Sequence, residues 1–319
     1  MAEIVLGLAT SHSPQMSVPA EHWEVLRVKD ETDTRIDYQG LLQRAKPGLA
    51  DEITPEKWQQ RYDACQRGIA TLGDVLRRAE PDVVVVLGDD QHEQFLDDNL
   101  PVLSIYHGET VPVVRHRSDR VEPEWKRAEE TRWAETAPEY PAAAALALHL
   151  IRALVDDEFD VARTNQLRPS VGIGHAFSFL YRRIWPGTRV PIVPVMINTY
   201  FPPNQPTPRR CYALGQALRR AVEAWDGSAR VALMASGGLS HVIMDEEIDA
   251  MTLDALERKD REQLYRLPRE RLFGGTSEIL NWVALAGAME DRPITLVDYV
   301  PCYRSLAATG CGAGFAYWA

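Results

Sequence analysis

The sequence has 319 residues, of which 45% are hydrophobic and 25% are charged, and its formal net charge is −11 with a pI near 5.3. This is the composition of a globular protein with enough apolar material for a large core. No block of Lys or Arg suggests binding to nucleic acid or to an anionic membrane surface, so we expect neither partner.

Nothing in the sequence indicates export or membrane insertion. The N-terminal residues lack the apolar core of a signal peptide, and no apolar run is long enough to span a membrane. The four cysteines are far apart and form no CxxC pair, which argues against a zinc knuckle or a disulfide scaffold. We therefore expect reduced thiols and a cytoplasmic location.

The predicted elements begin with a strand at Ile4–Ala9. Residues 17–60 are polar and mixed, and they are interpreted as an excursion with short helices that could form a cap or lid. A helix is predicted from Pro55 to Ala79, with Thr54 as its N-cap and the proline in its first turn. The continuous β-branched run Val83–Leu87 then predicts a central parallel strand.

Strands and helices alternate through the rest of the chain. Further strands are predicted at 102–106, 159–163, 190–197, 231–235, 295–299 and 314–318, and helices at 141–154, 209–225, 245–256 and 279–289. Because prolines lack a ladder N–H, Pro191 and Pro194 make 190–197 a poor candidate for a central strand. The charged stretch 107–139 is expected at the surface. The pattern predicts one α/β domain over residues 1–319, with a central mixed, largely parallel sheet flanked by helices.

Histidines follow three of the predicted strands. His12 lies past Ile4–Ala9, His92 lies past Val83–Leu87, and His241 ends the stretch VALMASGGLSH that begins at Val231. Ligands of open α/β sheets bind beyond the carboxyl ends of strands, so these imidazoles are candidates for one site. Each of them taken singly is equally well explained as a hydrogen-bonded residue at a strand end.

Two further residues extend this candidate site. His175 lies on the glycine-rich connection GIGH, and Glu278 opens a largely apolar helix. A carboxylate there could simply complement the helix dipole, but a buried one needs a partner, and a metal ion is one. Two imidazoles and a carboxylate can form the facial triad of a non-haem Fe(II) oxygenase.

Five motifs together resemble the class III extradiol ring-cleavage dioxygenases, the superfamily of the protocatechuate 4,5-dioxygenase β subunit. The motifs are SHSP at 11–14, VVVVLGDDQHEQF at 83–95, NTYFPPNQPTPRRCYALG at 198–215, SGGLSH at 236–241 and GGTSEILNW at 274–282. The resemblance covers most of the chain. It departs from the family's simpler motif at one position, where Gln91 separates Asp90 from His92.

The resemblance implies a fold, a cofactor and roles for the candidate residues. His12, His92 and Glu278 would hold Fe(II), His241 would be the acid/base residue over the bound diol, and His175 would be a second polar residue near the ring. The implied reaction inserts both atoms of O2 into a catechol-type diol and opens the ring beside the diol. The implied partners are O2 and a small aromatic diol, such as a gallate or its methyl ether, and the default assembly is a homodimer.

Three residues have weaker predicted roles. Thr276 is expected to cap the Glu278 helix or to touch the substrate, with the cap favoured. Asn198 and Tyr200 begin the proline-rich loop, where lining the pocket and fixing the loop geometry are equally good interpretations.

Two other functions compete with the dioxygenase. One is a zinc or dinuclear metallohydrolase using the GDDQH segment, for which Asp89 and Asp90 are available but no second His-rich motif follows. The other is a non-catalytic protein that binds a small molecule or peptide in the same cleft.

Overall fold

A mixed sheet of nine strands forms the centre of the computed structural model, which describes residues 1–34, 36–114, 139–169 and 171–319. The strands are Glu3–Thr10 (β1), Val83–Gly88 (β2), Leu103–Tyr106 (β3), Thr110–Pro112 (β4), Glu139–Pro141 (β5), Ala162–Thr164 (β6), Ile192–Ile197 (β7), Arg230–Ser236 (β8), His241–Ile243 (β9), Ile294–Tyr303 (β10) and Thr309–Trp318 (β11). The nine-stranded sheet has the order β10-β11-β1-β8-β2-β7-β3-β6, with β9 paired to β11, and β4 and β5 form a separate pair.

The middle of the sheet is parallel. Strands β1, β8, β2 and β7 are neighbours that all run the same way, whereas β11 joins β1 antiparallel and β3 joins β7 antiparallel. The carboxyl ends of the four parallel strands therefore meet at one edge, where ligands of open α/β sheets bind. This architecture confirms the predicted mixed, largely parallel α/β sheet flanked by helices.

The helices cover both faces of the sheet. They are Pro14–Ser17 (α1), Trp23–Glu31 (α2), Tyr38–Gln43 (α3), Pro55–Ala79 (α4), Ala144–Asp156 (α5), His175–Phe179 (α6), Pro208–Glu223 (α7), Glu246–Glu257 (α8), Arg261–Tyr265 (α9) and Ile279–Ala288 (α10). Short 3-10 turns lie at Ala20–His22, Leu49–Glu52, Arg269–Arg271 and Gly274–Glu278, and a π-turn lies at Leu180–Ile184.

Strand β2 shows how the two faces are filled. Val83, Val85 and Leu87 belong to one apolar cluster, whereas Val84 and Val86 belong to the other, because successive side chains of a strand point to opposite faces. The first cluster includes residues of α5, α7, α8 and α10, and the second includes residues of α2 and α4. A strand buried on both sides needs a continuous apolar run, which β2 has.

Helix α4 has the predicted bounds and the predicted start. Thr54 Oγ1 accepts a hydrogen bond from Lys57 N at 3.3 Å, and Pro55 occupies the first turn. The excursion contains the expected short helices, and α2 packs onto α4 through Trp23 and Trp58, whose ring centroids are 6.2 Å apart.

One strand expectation is wrong. Strand β7 contains Pro194 yet lies inside the sheet, between β2 and β3. The sheet tolerates this proline because the ladder to β3 covers only Val195–Ile197, so Pro194 pairs on one side alone, opposite Val86.

The charged stretch that the sequence places at the surface is described only in part. Most of the stretch 107–139 lies outside the described residues, because residues 115–138 are not among them. Among the described residues, none of the helices is both long and apolar enough to cross a bilayer. Cys65, Cys211, Cys302 and Cys311 are all buried and free.

Candidate active site

Glu278 lies at the centre of the candidate site and is completely buried. It ends the 3-10 turn that precedes α10, at the edge where β1, β8 and β2 finish. Its Oε2 accepts a hydrogen bond from Gly238 N at 2.8 Å, and its Oε1 accepts one from Gln91 Nε2 at 2.8 Å. A Cβ at Gly237 would lie 2.2 Å from Oε2, so the first glycine of the diglycine is what allows this carboxylate to approach β8.

His12 faces Glu278 with an unprotonated nitrogen. Ser236 Oγ donates its only hydrogen to Ala176 O at 2.6 Å, so it must accept from His12 Nδ1, which lies 3.1 Å away. The proton of His12 is therefore on Nδ1. Its Nε2 makes no hydrogen bond and lies 3.4 Å from Glu278 Oε2, with a lone pair available for a metal ion.

Asp89 is the third member of the group. It follows β2 directly, is completely buried, and neither of its carboxylate oxygens makes a hydrogen bond of regular geometry. One ligand atom each from His12, Asp89 and Glu278 lie within 4.8 Å of one another. Buried charges are normally paired or coordinate a metal, so this arrangement fits a divalent cation.

The pKa values of these groups reflect burial and mutual charge. Burial lowers the pKa of His12 to about 3, which keeps the imidazole neutral. Burial and the negative charge of Glu278 raise the pKa of Asp89 well above its ordinary value. Burial alone would also raise the pKa of Glu278, but the neighbouring His241 and His12 outweigh it and lower that pKa. Burial thus keeps His12 neutral, and the neighbouring imidazoles keep Glu278 ionised at neutral pH.

His241 is poised beside the same carboxylate. Its Nδ1 donates to Leu239 O at 3.0 Å, which leaves Nε2 facing Glu278 Oε1 at 3.2 Å. Burial alone would lower the pKa of His241, but the charge and hydrogen bond of Glu278 raise it above its ordinary value. An imidazole in this environment can exchange a proton with a ligand in the cleft.

His175 approaches from α6. Its ring lies edge-on to His12, with centroids 4.6 Å apart. Its Nδ1 and its backbone N lie 2.9 Å and 3.0 Å from Glu93 Oε1, so the carboxylate fixes the ring. The structure therefore brings four of the predicted residues together: His12, His175, His241 and Glu278.

His92 lies outside this group, so the structure does not bring this predicted ligand to Glu278. Its ring stacks on Phe201 with centroids 3.7 Å apart, and its Nε2 lies 3.2 Å from Asp97 Oδ1. The turn after β2 accounts for this. Asp90 accepts hydrogen bonds from Gln94 N and Phe95 N, and His92 adopts a left-handed backbone with φ +59°.

The weaker candidates have mixed outcomes. Thr276 does not cap α10; its hydroxyl bonds the backbone N and O of His241 at 3.2 Å and 3.1 Å and so holds that residue. Asn198 fixes the loop, since its side chain bonds the backbone of Phe201 and the side chain of Asn204. Tyr200 lies at the wall of the cleft.

An open cleft of about 220 Å³ leads to these residues. Its lining includes His12, Gln91, His175, Tyr200 and His241 from the sheet edge, and Leu26, Lys29 and Asp30 from α2. Arg304 also lines the cleft and forms a buried ion pair with Asp30, which ties the excursion to the turn between β10 and β11. A second, smaller cleft also has His241 in its lining, together with Tyr200, Phe273 and Thr276, among others.

A family model described as "Catalytic LigB subunit of aromatic ring-opening dioxygenase" matches residues 47–314. The chain belongs to this family. The match includes the predicted site residues from His92 to Glu278, whereas His12 precedes it. Membership in the LigB family confirms the resemblance seen in the sequence motifs.

Curated relatives carry more specific names. The chain is 35% identical over 159 residues to a gallate dioxygenase of Pseudomonas putida, which covers 46% of this chain and 45% of that protein. It is 27% identical over 193 residues to a 2,3-dihydroxyphenylpropionate/2,3-dihydroxicinnamic acid 1,2-dioxygenase of Cupriavidus necator, covering 60% of this chain and 54% of that protein. The chain spans about half the length of the curated relatives it matches.

Three residues of this LigB-family site are not predicted from the sequence to belong to it. Asp89 was seen only as a ligand for an alternative enzyme, although its position directly after β2 was a signal. Ser236 and Asp249 gave none, because their roles depend on partners that are distant in sequence. Asp249 is buried in α8 and accepts hydrogen bonds from Ser240 N, Ser240 Oγ and Tyr299 Oη at 2.7–2.8 Å, which fixes the segment that bears His241.

Proposed function

We propose that the protein is an Fe(II)-dependent extradiol dioxygenase, which inserts both atoms of O2 into an aromatic ring with adjacent hydroxyls and opens the ring beside them. The observation that carries this proposal is the convergence of His12 and His241 on Glu278, at 3.4 Å and 3.2 Å, at the carboxyl edge of the sheet. A metal ligand pair and a proton-transfer group thus lie within one cleft.

The metal that we propose is Fe(II), held by His12 and Glu278 with a third side chain. The chemistry supplied by a ferrous ion in such a site is chelation of two adjacent oxygens and activation of O2 with electrons from the ring itself. The protein contributes the geometry. Gln91 and Gly238 hold the two oxygens of Glu278, and Ser236 holds the tautomer of His12.

His241 is the proposed acid/base residue. Because Leu239 O holds the proton on Nδ1, Nε2 is the atom that exchanges a proton with the second hydroxyl. The same nitrogen can return that proton later in the reaction. Thr276 bonds the backbone of His241 on both sides of the residue and keeps Nε2 directed into the cleft. His175, fixed by Glu93, is the proposed second polar residue beside the ring.

The proposed substrate is a small aromatic diol. The named relatives act on gallate or on 2,3-dihydroxyphenylpropionate, and both compounds carry vicinal hydroxyls on one ring. A cleft of about 220 Å³ suits a single ring. We further propose a cytoplasmic enzyme that acts as a homodimer, for which the reduced cysteines and the default symmetry of soluble oligomers are the support.

Oxygen consumption with a panel of catechols tests the proposal. The protein is loaded anaerobically with Fe(II), mixed with each diol, and then exposed to O2. We expect uptake of one O2 per diol and the yellow colour of a ring-opened product. A metallohydrolase would act on its substrate without O2, and a binding protein would shift diol fluorescence without turnover, so either result would contradict the proposal.

The His241→Gln variant tests the proton-transfer role. We expect kcat to fall by about 10²–10⁴, the range for loss of a general acid–base residue, while binding of the metal is retained. Steady-state kinetics and metal titration measure the two effects separately. A decrease in metal affinity with kcat preserved would instead make His241 a ligand.

A further inference from the structure

The carboxylate of Asp89 has a setting that a merely structural residue lacks. It is completely buried, its two oxygens make no regular hydrogen bond, and the carboxylate of Glu278 is in the same group within 4.8 Å. The nearby amide of Gln91 donates to Glu278 Oε1 at 2.8 Å, and its interaction with Asp89 only partly offsets the effect of burial on the pKa of Asp89. Two carboxylates packed together away from water repel each other unless a proton or a cation lies between them.

The unused lone pair on His12 Nε2 indicates a cation rather than a proton. Its Nε2 is buried without a hydrogen bond, and its tautomer leaves a lone pair directed at the two carboxylates. A proton shared by Asp89 and Glu278 would satisfy the carboxylates but not this nitrogen. A metal ion satisfies all three residues, and imidazole and carboxylate are both common ligands of divalent first-row metals.

The histidine that the sequence favours for this position is held elsewhere. His92 stacks on Phe201 and faces Asp97, and the left-handed turn that carries it is closed by Asp90. Bringing His92 to Glu278 would require this turn to open. Asp89 needs no such movement, since it is already in the group.

We propose that Asp89, and not His92, is the third protein ligand, so that the metal centre consists of one imidazole and two carboxylates. The proposal rests on the proposed function for the presence of a metal. Two carboxylates neutralise a divalent cation, whereas two imidazoles and one carboxylate leave one positive charge. The harder donor set favours Mn²⁺ and Fe²⁺ over softer ions more than a two-histidine site does.

Binding of Mn²⁺ to the metal-free full-length protein tests the proposal without O2 or a diol. The free ion is followed by its electron paramagnetic resonance signal in wild type, D89N, H92A and D97N. We expect D89N to weaken binding by at least about 10-fold and H92A to change it by less than about 2-fold. D97N is the matched Asp-to-Asn control and is expected to bind like wild type, because Asp97 is exposed.

Thermal unfolding of the metal-free proteins gives a second readout. We expect D89N to be at least as stable as wild type, because the substitution removes a buried carboxylate that lies against Glu278, and to lose most of the stabilisation that added Mn²⁺ confers. A purely structural Asp89 would give a less stable variant with unchanged affinity, and this outcome would overturn the proposal. So would a loss of affinity in H92A with D89N unaffected.

These outcomes are separable from those of the proposed function. If Mn²⁺ binding depends on Asp89 but the Fe(II)-loaded protein consumes no O2 with any diol, the ligand assignment stands and the proposed function fails. If ring cleavage occurs while D89N binds Mn²⁺ normally, the function stands and the ligand assignment fails.

Discussion

The ends of β1 and β2 have the same sequence pattern, but the histidines that follow them lie in different places. Each is an apolar strand followed within four residues by a histidine, yet His12 enters the site and His92 does not. After β1, the chain continues past Ser11, whose hydroxyl accepts hydrogen bonds from Leu239 N and Gly314 N, and His12 is held over β8 by Ser236. After β2, the turn closed by Asp90 carries His92 toward Phe201.

The difference shows that distance from the strand end decides which side chain reaches the shared edge. His12 is two residues past β1 and Asp89 is one residue past β2, so both are still positioned by their strands. His92 is four residues past β2, beyond a turn with its own hydrogen bonds. A side chain within two residues of a strand end is thus a better indication of a place at the shared edge than a histidine four residues beyond it.

Alanine substitution of His12 and of His92 should give the largest difference in activity between the two strand ends. In H12A we expect turnover of a catechol to fall about 1,000-fold or more, since a bound metal supplies several kcal/mol to the reaction. In H92A we expect a change of less than about 3-fold. Oxygen uptake by Fe(II)-loaded proteins measures both. Equal losses in the two variants would mean that both strand ends contribute ligands.

The segment after the end of β8 is held by Asp249, and the pH dependence of protein stability reports on this residue. Burial raises the pKa of Asp249 to about 6, against the opposing hydrogen bonds from Ser240 and Tyr299. The pKa of Asp249 is higher in the folded state than in the unfolded state, so the folded protein binds this proton more tightly. The resulting stabilisation is complete below about pH 4 and is lost as the pH rises through about 6. The loss amounts to about 3 kcal/mol.

The Asp249→Asn variant isolates this contribution. The asparagine does not titrate, so the free energy of unfolding of wild type relative to D249N should fall as the pH rises from 4 to 7. Urea unfolding at several pH values measures this difference. A difference that is flat or rises with pH would show that the three hydrogen bonds keep Asp249 ionised in the folded state throughout.

Removal of the Ser236 hydroxyl tests how the end of β1 is held. In S236A, the Nδ1 proton of His12 loses its acceptor, and we expect metal affinity to fall by about 10–100-fold. The matched control is S104A, because Ser104 is also a buried strand serine but its hydroxyl makes no hydrogen bond. Calorimetric titration with Mn²⁺ measures both affinities. Similar losses in the two variants would indicate a general effect on the core.

Much of the fold follows from local sequence patterns, whereas the site follows only in part. Helix α4 was predicted to its terminal residues because Thr54 and Pro55 specify the start through contacts within one turn. The sequence does not predict the central position of β7, because the sheet accepts Pro194 only where the hydrogen-bond ladder to β3 has ended. The place of Asp89 beside His12 and Glu278 does not follow from local sequence for a related reason, since its burial and its neighbours are set by separate strands.

The smallest effect is expected from the ring stack between His92 and Phe201. Phe201→Leu keeps an apolar side chain but removes the aromatic partner, whose ring is parallel to that of His92 within 2°. We expect the free energy of unfolding to fall by about 1 kcal/mol, the usual size of an aromatic pair beyond its buried area. Phe273→Leu is the control, because Phe273 is 60% exposed. Since Asp89 rather than His92 is the proposed ligand, Mn²⁺ affinity should not change in F201L, and a gain or loss in affinity would show that His92 exchanges with Asp89 at the metal.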